Sequence, residues 1–204
     1  MSGALAIASV TAVLKNLLGN ALVRQSSDTS MGDITFTALP PDRILTGPEE
    51  RTQLNLHLYR LTPNTRWRHR GDVSQGQPDT LPLALDLHYL ITAYGERDFQ
   101  AEVLLGYAVQ CLHETPVLTR EAIGAALKSN PSKNGGAELR TFSASTLADQ
   151  LEQITIRPEF LSMEEMSKLW SSLQTRARIS VTYQVSAVLI GNPSVGKTVP
   201  TEVS

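Results

Sequence analysis

The sequence predicts an α/β (α+β) fold, a single domain in which a mixed sheet of four to five strands is flanked by helices. Three observations carry this reading. At 204 residues the chain is long enough for one well-buried core and short for two. Several segments alternate apolar and polar residues with the strand period of two, and others repeat with the helical period. The two kinds follow one another as helix, strands, helices, strand, helix, strand, an order that packs helices against one sheet.

The first element is a helix in ALAIASVTAVLKNLLGNALV. Ile7, Val10, Leu14, Leu17, Leu18 and Ala21 recur at helical spacing, with Ser9, Asn16 and Asn20 elsewhere on the circumference. It does not read as a signal peptide, because no basic residue precedes the apolar stretch and the first, Lys15, lies beyond it. No uninterrupted apolar run approaches the ~20 residues that span a bilayer, so neither an export signal nor an anchor is expected.

A polar connector, RQSSDTSMGD, leads to a short strand in ITFTALP, ended by Pro40 and Pro41. The next strand, TQLNLHLYRL, places Leu54, Leu56 and Leu58 on one face and Asn55, His57 and Tyr59 on the other. The segment TPNTRWRHRGDVSQGQPDT has no periodicity and reads as a long loop. In LPLALDLHYLITAY, Leu83, Leu85, Leu87, Tyr89 and Ile91 alternate with Ala84, Asp86, His88, Leu90 and Thr92. The second of these faces is half apolar, which predicts a mid-sheet strand whose far side is partly covered by helices or a neighbouring subunit.

A helix follows over Phe99 to His113, with Asp98 as its expected N-cap, and ends before Pro116. A second is expected in TREAIGAALKS, capped by Thr119 and closed by the loop SNPSKNGGAE, and a short one in STLADQL. QITIRPEF reads as a strand near an edge, because Pro158 cannot donate to a ladder. Ser162 and Glu165 have capping-box spacing ahead of a helix, MEEMSKLWSSLQ, with the apolar stripe Met166, Leu169, Trp170 and Leu173. The last element, ARISVTYQVSAVLI, is a long strand. The core domain thus spans 1–190, and 191–204 reads as a flexible C-terminal tail.

Composition narrows the function. With 18 basic and 20 acidic residues, the net charge of -2 gives no bulk attraction for nucleic acid or anionic lipid, so protein partners are expected. The single cysteine, Cys111, excludes an intramolecular disulfide and a cysteine-cluster metal site. His57, His69, His88 and His113 are scattered without metal-ligand spacing, and no cofactor or metal is implied.

Three constellations remain. Asp86, His88 and His57 lie on the polar faces of two strands, as a carboxylate-held general base requires, but no nucleophile sits on a recognisable turn, and structural hydrogen bonding explains the same pattern. Arg66, Trp67, Arg68, His69 and Arg70 interleave basic and aromatic side chains. In a slightly acidic chain these residue types are protein-interface anchors before they are a strand-binding surface. Finally, GNPSVGKT fits G-x-x-x-x-G-K-[ST] through Gly191, Gly196, Lys197 and Thr198, the alternative reading being a nucleotide-binding protein. A phosphate loop must open a helix and be followed by a strand carrying a magnesium-binding acid, whereas only six residues follow Thr198 here, Pro200 among them.

Read as whole phrases, NLHLYRLTPN, LPLALDLHYLITAYG, LLGYAVQCLHETPVLT and ITIRPEFLSMEEMSKLWSSLQTRARISVTYQVSAVLI resemble, in order and spacing, the cap proteins of extracellular contractile injection systems of the antifeeding-prophage and Photorhabdus-virulence-cassette type. The resemblance implies a fold similar to contractile-tail terminator proteins and a structural, non-enzymatic role. A homohexameric ring would terminate the inner tube and sheath at the distal end of a phage tail-like particle. The implied partners are the chain itself and the sheath and inner-tube proteins, with no nucleic acid and no direct membrane insertion. Assembly would take place in the bacterial cytoplasm, into a phage tail-like particle of a kind that can be released extracellularly, and the resemblance leaves open whether this one is. Longer relatives carry a further C-terminal domain, whose function is not carried over to this chain.

Overall fold

The structure, a computed structural model, describes residues 6–26, 33–64, 83–128 and 153–190. Four helices are described: α1 (Ala6–Ser26), α2 (Gln100–Glu114), α3 (Arg120–Lys128) and α4 (Met163–Ser172). The strands are β1 (Thr35–Thr37), β2 (Gln53–Pro63), β3 (Leu83–Tyr94), β4 (Val117–Thr119), β5 (Gln153–Glu159) and β6 (Ser180–Ile190). They form one sheet in the order β1-β2-β3-β6-β5-β4. Every pairing is antiparallel except β1 with β2. The sheet thus has six strands rather than four to five. The additional one, β4, has three residues, too few to show a period of two.

Alternation assigns the faces. Leu54 and Leu56 of β2, Leu87, Tyr89 and Ile91 of β3, Ile154 and Ile156 of β5, and Tyr183 and Val185 of β6 share one buried cluster with α1, α2 and α3. Burying each such side chain stabilises the fold by about 1.5–3 kcal/mol. α1 packs so deeply that Ser9, on its supposed polar side, is also buried. Inside this core the Tyr89 hydroxyl is satisfied by Thr11 Oγ1 at 2.8 Å, and Asn16 Nδ2 of α1 donates to the Ala126 carbonyl near the end of α3 at 3.0 Å.

The opposite face is also covered at its centre. His88, Leu90, Thr92 and Tyr94 of β3 are buried on it, which explains the half-apolar alternate positions of that strand. α4 lies on this side, where Met166 Sδ is 3.9 Å from Ser180 Oγ at the start of β6. Its capping box is complete. Ser162 Oγ accepts from Glu165 N, and the Glu165 carboxylate accepts from Ser162 N at 2.8 Å. Trp170 is the buried residue of its apolar stripe.

Connections account for the remaining departures. The loop after β1 is pinned by the fully buried Asn55, whose side chain accepts from Leu39 N and donates to Leu39 O. The α2 N-cap is Phe99, in the left-handed region at φ 66, with no side-chain cap, so Asp98 does not serve as predicted. The helix start is held instead by Gln100, whose Oε1 accepts from Arg97 N and from Thr52 Oγ1. A side chain could not enter this turn at Gly95, because a Cβ there would lie 2.7 Å from Gln100 Cβ. Thr119 caps α3 as expected, though loosely, accepting from Ala122 N at 3.4 Å. Pro158 sits where it was predicted, at a sheet margin, since β4 pairs only with residues 153–155 of β5. The helix expected in STLADQL lies outside the described residues.

Candidate functional site

The polar side chains of the second sheet face converge on Glu159, the last residue of β5. Its Oε2 accepts from Tyr59 OH of β2 and faces His88 Nδ1 of β3, both at 2.9 Å. The other ring nitrogen, His88 Nε2, is 2.8 Å from Thr62 Oγ1, and Thr182 Oγ1 of β6 donates to the Glu159 carbonyl at 2.6 Å. Asp86 completes the group, accepting from Asn64 Nδ2 and Gln184 Nε2, each at 2.8 Å. β2 and β5 are separated by β3 and β6, roughly 14 Å in a flat sheet. The sheet curls toward this face, and a tyrosine and a glutamate span what is left.

Two local features make the reach feasible. The register of β2 against β3 shifts between Leu58 and Arg60, so Tyr59 is the extra residue of a bulge and leans inward toward His88, whose ring centroid is 6.1 Å away at 62°. A second shift, opposite Leu85 and Leu87, admits an extra residue in β6 beside Asp86. Burial and the Glu159 carboxylate push the Tyr59 phenol well above its ordinary range, so it stays a protonated donor.

By distance alone, Thr62, His88 and Glu159 form a hydroxyl, imidazole and carboxylate in series. The arrangement nevertheless works as a clasp and not as a nucleophile. His88 is 5% exposed, Thr62 lies within the ladder of β2, one residue from its end, and Glu159 Oε2 is shared with a second donor. Glu159 and Thr182 reach the wall of a groove on the β5 side, but neither Thr62 nor His88 lines that groove or the two clefts beside Glu50 and Arg178. What the group does is fasten four strands into one curvature.

Of the trio singled out by alternation, the structure therefore keeps His88 and Asp86 on one face but in separate hydrogen-bond sets. His57 belongs to neither. It pairs in register with Leu90, and burial lowers its pKa against the raising influence of Asp42. Glu159, Tyr59 and Thr62 escaped sequence reasoning. Residues 66–70 and 191–198 lie outside the described residues. Among the described residues, no group of three or more histidine, cysteine, aspartate or glutamate side chains could hold a metal ion, and no helix is long and apolar enough to cross a membrane.

Two surfaces flank the clasp. At the end of the sheet where β2 and β6 begin, Arg178 Nη2 meets Glu50 Oε2 at 2.8 Å while its guanidinium lies 5.7 Å from the centre of the Tyr94 ring. On the β5 side, a groove of about 440 Å³ opens between Val109 and Leu112 of α2, Pro158 of β5 and Phe160 just past its end, and Met166 of α4.

This six-stranded curled sheet, with its core on one face, has a fold similar to that of two terminator structures. The chain is similar to the PVC sheath/tube terminator of an extracellular contractile injection system in its extended state, with a TM-score of 0.50 and 16% identity over 92% of this chain and 61% of that one. It is equally similar to the anti-feeding prophage cap, a tube-terminating cap, at 0.50 and 16% over 91% and 58%. It thus spans about three fifths of the length of either protein. No curated protein matches it in sequence. The profile of the Pvc16 N-terminal domain family matches residues 9–202, and the chain belongs to that family.

Proposed function

We propose that this protein is the cap of a contractile injection particle, a ring that terminates the inner tube and sheath at the distal end. The observation that carries the reading is the similarity in fold to two terminators over more than nine tenths of the chain, within a family profile that spans nearly all of it. The mechanism is geometric. A ring whose symmetry matches the layer beneath it binds every subunit of that layer at once, and its outer face offers no site for the next. Such a protein needs a stiff sheet and exposed edges, not a catalytic centre, and acts without a cofactor.

In this reading the ring is a homohexamer, its partners are the last sheath and tube subunits, and it joins the particle in the bacterial cytoplasm. Residues 1–190 form the cap domain, 191–204 a tail, and Arg66 to Arg70 an interface loop. Purified protein added to uncapped tube and sheath assemblies tests this directly by electron microscopy. A disc of extra density at one end only is the expected result, and binding along the sides or at neither end contradicts it.

A further inference from the structure

Beside the Glu50–Arg178 pair, a cleft of about 520 Å³ opens between residues 46–50, which lead into β2, and residues 174–178, which lead from α4 into β6. Tyr94, the last residue of β3, forms part of its wall although it is only 2% exposed. The Arg178 guanidinium lies over the phenol ring, so the part of Tyr94 that reaches the cleft is its hydroxyl end. Among the described residues that hydroxyl has no hydrogen-bond partner. A buried phenol left in this way costs stability until something in the cleft accepts from it. Burial pushes the phenol up to about 12, so it is a donor at any pH where a carboxylate is charged.

The ionised groups of the cleft favour the same kind of ligand. Both Glu50 oxygens are taken by Arg178, through Nη1 at 3.4 Å and Nη2 at 2.8 Å. Arg176 is exposed at the rim and stands in no ion pair among the described residues. Two guanidiniums therefore line the cleft against one carboxylate, a surplus of one positive charge. Glu49, Glu96 and Arg51 line the neighbouring cleft, which shares only Gly47, Glu50 and Arg178 with this one. One surplus charge and one neutral donor match a monoanion with two oxygens. A dianionic phosphate would leave negative charge in excess beside Glu50.

We propose that this cleft binds the carboxylate of a partner polypeptide, an aspartate or glutamate side chain that accepts from Tyr94 OH and from the Arg176 guanidinium. Arg178 stays on Glu50 and holds the phenol in place, while Arg176 closes over the ligand from the rim. The carboxylate preference follows from the cleft alone. Taking the partner to be a tube or sheath subunit rests on the cap reading above.

The test uses the full chain and, as probe, glutamate blocked at both its amino and its α-carboxyl group, followed by NMR of the arginine side-chain N–H and tyrosine ring signals. The shifts should saturate with this probe, stay flat with the equally blocked glutamine, and need more inorganic phosphate than glutamate probe. Arg176→Gln and Tyr94→Phe should each weaken probe binding about tenfold, whereas Arg120→Gln, at an exposed position on α3, should leave it unchanged. Equal binding of the two probes, tighter binding of phosphate, or titrations unaltered in Arg176→Gln and Tyr94→Phe overturn the site. On uncapped tube and sheath ends, Arg176→Glu should lose about tenfold in binding and Arg120→Glu none. An Arg176→Glu protein that binds those ends like the parent overturns the assignment of the partner. A parent protein that binds no ends contradicts the cap reading instead, and the probe titration then decides the carboxylate site by itself.

Discussion

At the scale of single residues, the clasp is the feature with the most at stake. Glu159 satisfies one donor from β2 and another from β3 with a single oxygen. Glu159→Ala leaves the Tyr59 hydroxyl and the buried His88 ring without their acceptor, and should lower unfolding stability by about 2–4 kcal/mol, measured by urea denaturation. A second test concerns Tyr94, whose phenol burial pushes up to about 12, Arg178 opposing and Glu50 reinforcing the shift. A phenol that ionises later in the fold than in the unfolded chain favours folding fully below the unfolded pKa, and that contribution is lost as pH rises through the folded one. Stability should therefore fall between about pH 10 and 12, and Tyr94→Phe should flatten the decline. The faces of Asp86 and His88 were legible because alternation alone assigns them. Glu159 was not, because its partnership depends on a bulge and on strand order, neither of which leaves a periodic trace.

At the scale of elements, local chemistry was most legible where a side chain closes on its own backbone. Ser162 and Glu165 announce α4 and form the capping box. Ser162→Ala should cost about 1 kcal/mol and unsettle the start of that helix, as thermal melts and hydrogen exchange would report. Pro158 likewise marked the sheet margin. The α2 start was less transparent: Asp98 has the right chemistry for a cap, but the chain turns one residue later through Phe99 in the left-handed region. That turn brings β3 and α2 so close that Gly95→Ala, meeting Gln100 Cβ at 2.7 Å and Ala101 N at 2.9 Å, should destabilise the protein by about 1–3 kcal/mol in chemical denaturation. The strand β4 and the parallel pairing of β1 were invisible for a common reason. Three-residue strands are fixed by what lies beside them, here residues 153–155 for β4 and residues 53–55 for β1.

At the scale of the whole molecule, the fold class and the order of its long elements followed from hydrophobic periodicity. The placement of β6 between β3 and β5 could not, since strand order is a tertiary outcome. That placement shapes the proposed function. It puts β3 and β6, two of the three long strands, at the centre, buried on the core side, and leaves short or partly paired strands at both margins. Among the described residues, the sheet therefore ends in the short strands β1 and β4, and it is at such margins that the proposed cap would meet its neighbours. The most direct test is the length distribution of contractile particles, by electron microscopy, from cells with and without this gene. Loss of the gene should yield tubes and sheaths of uncontrolled length with open distal ends. Particles of unchanged length with closed ends would contradict the account.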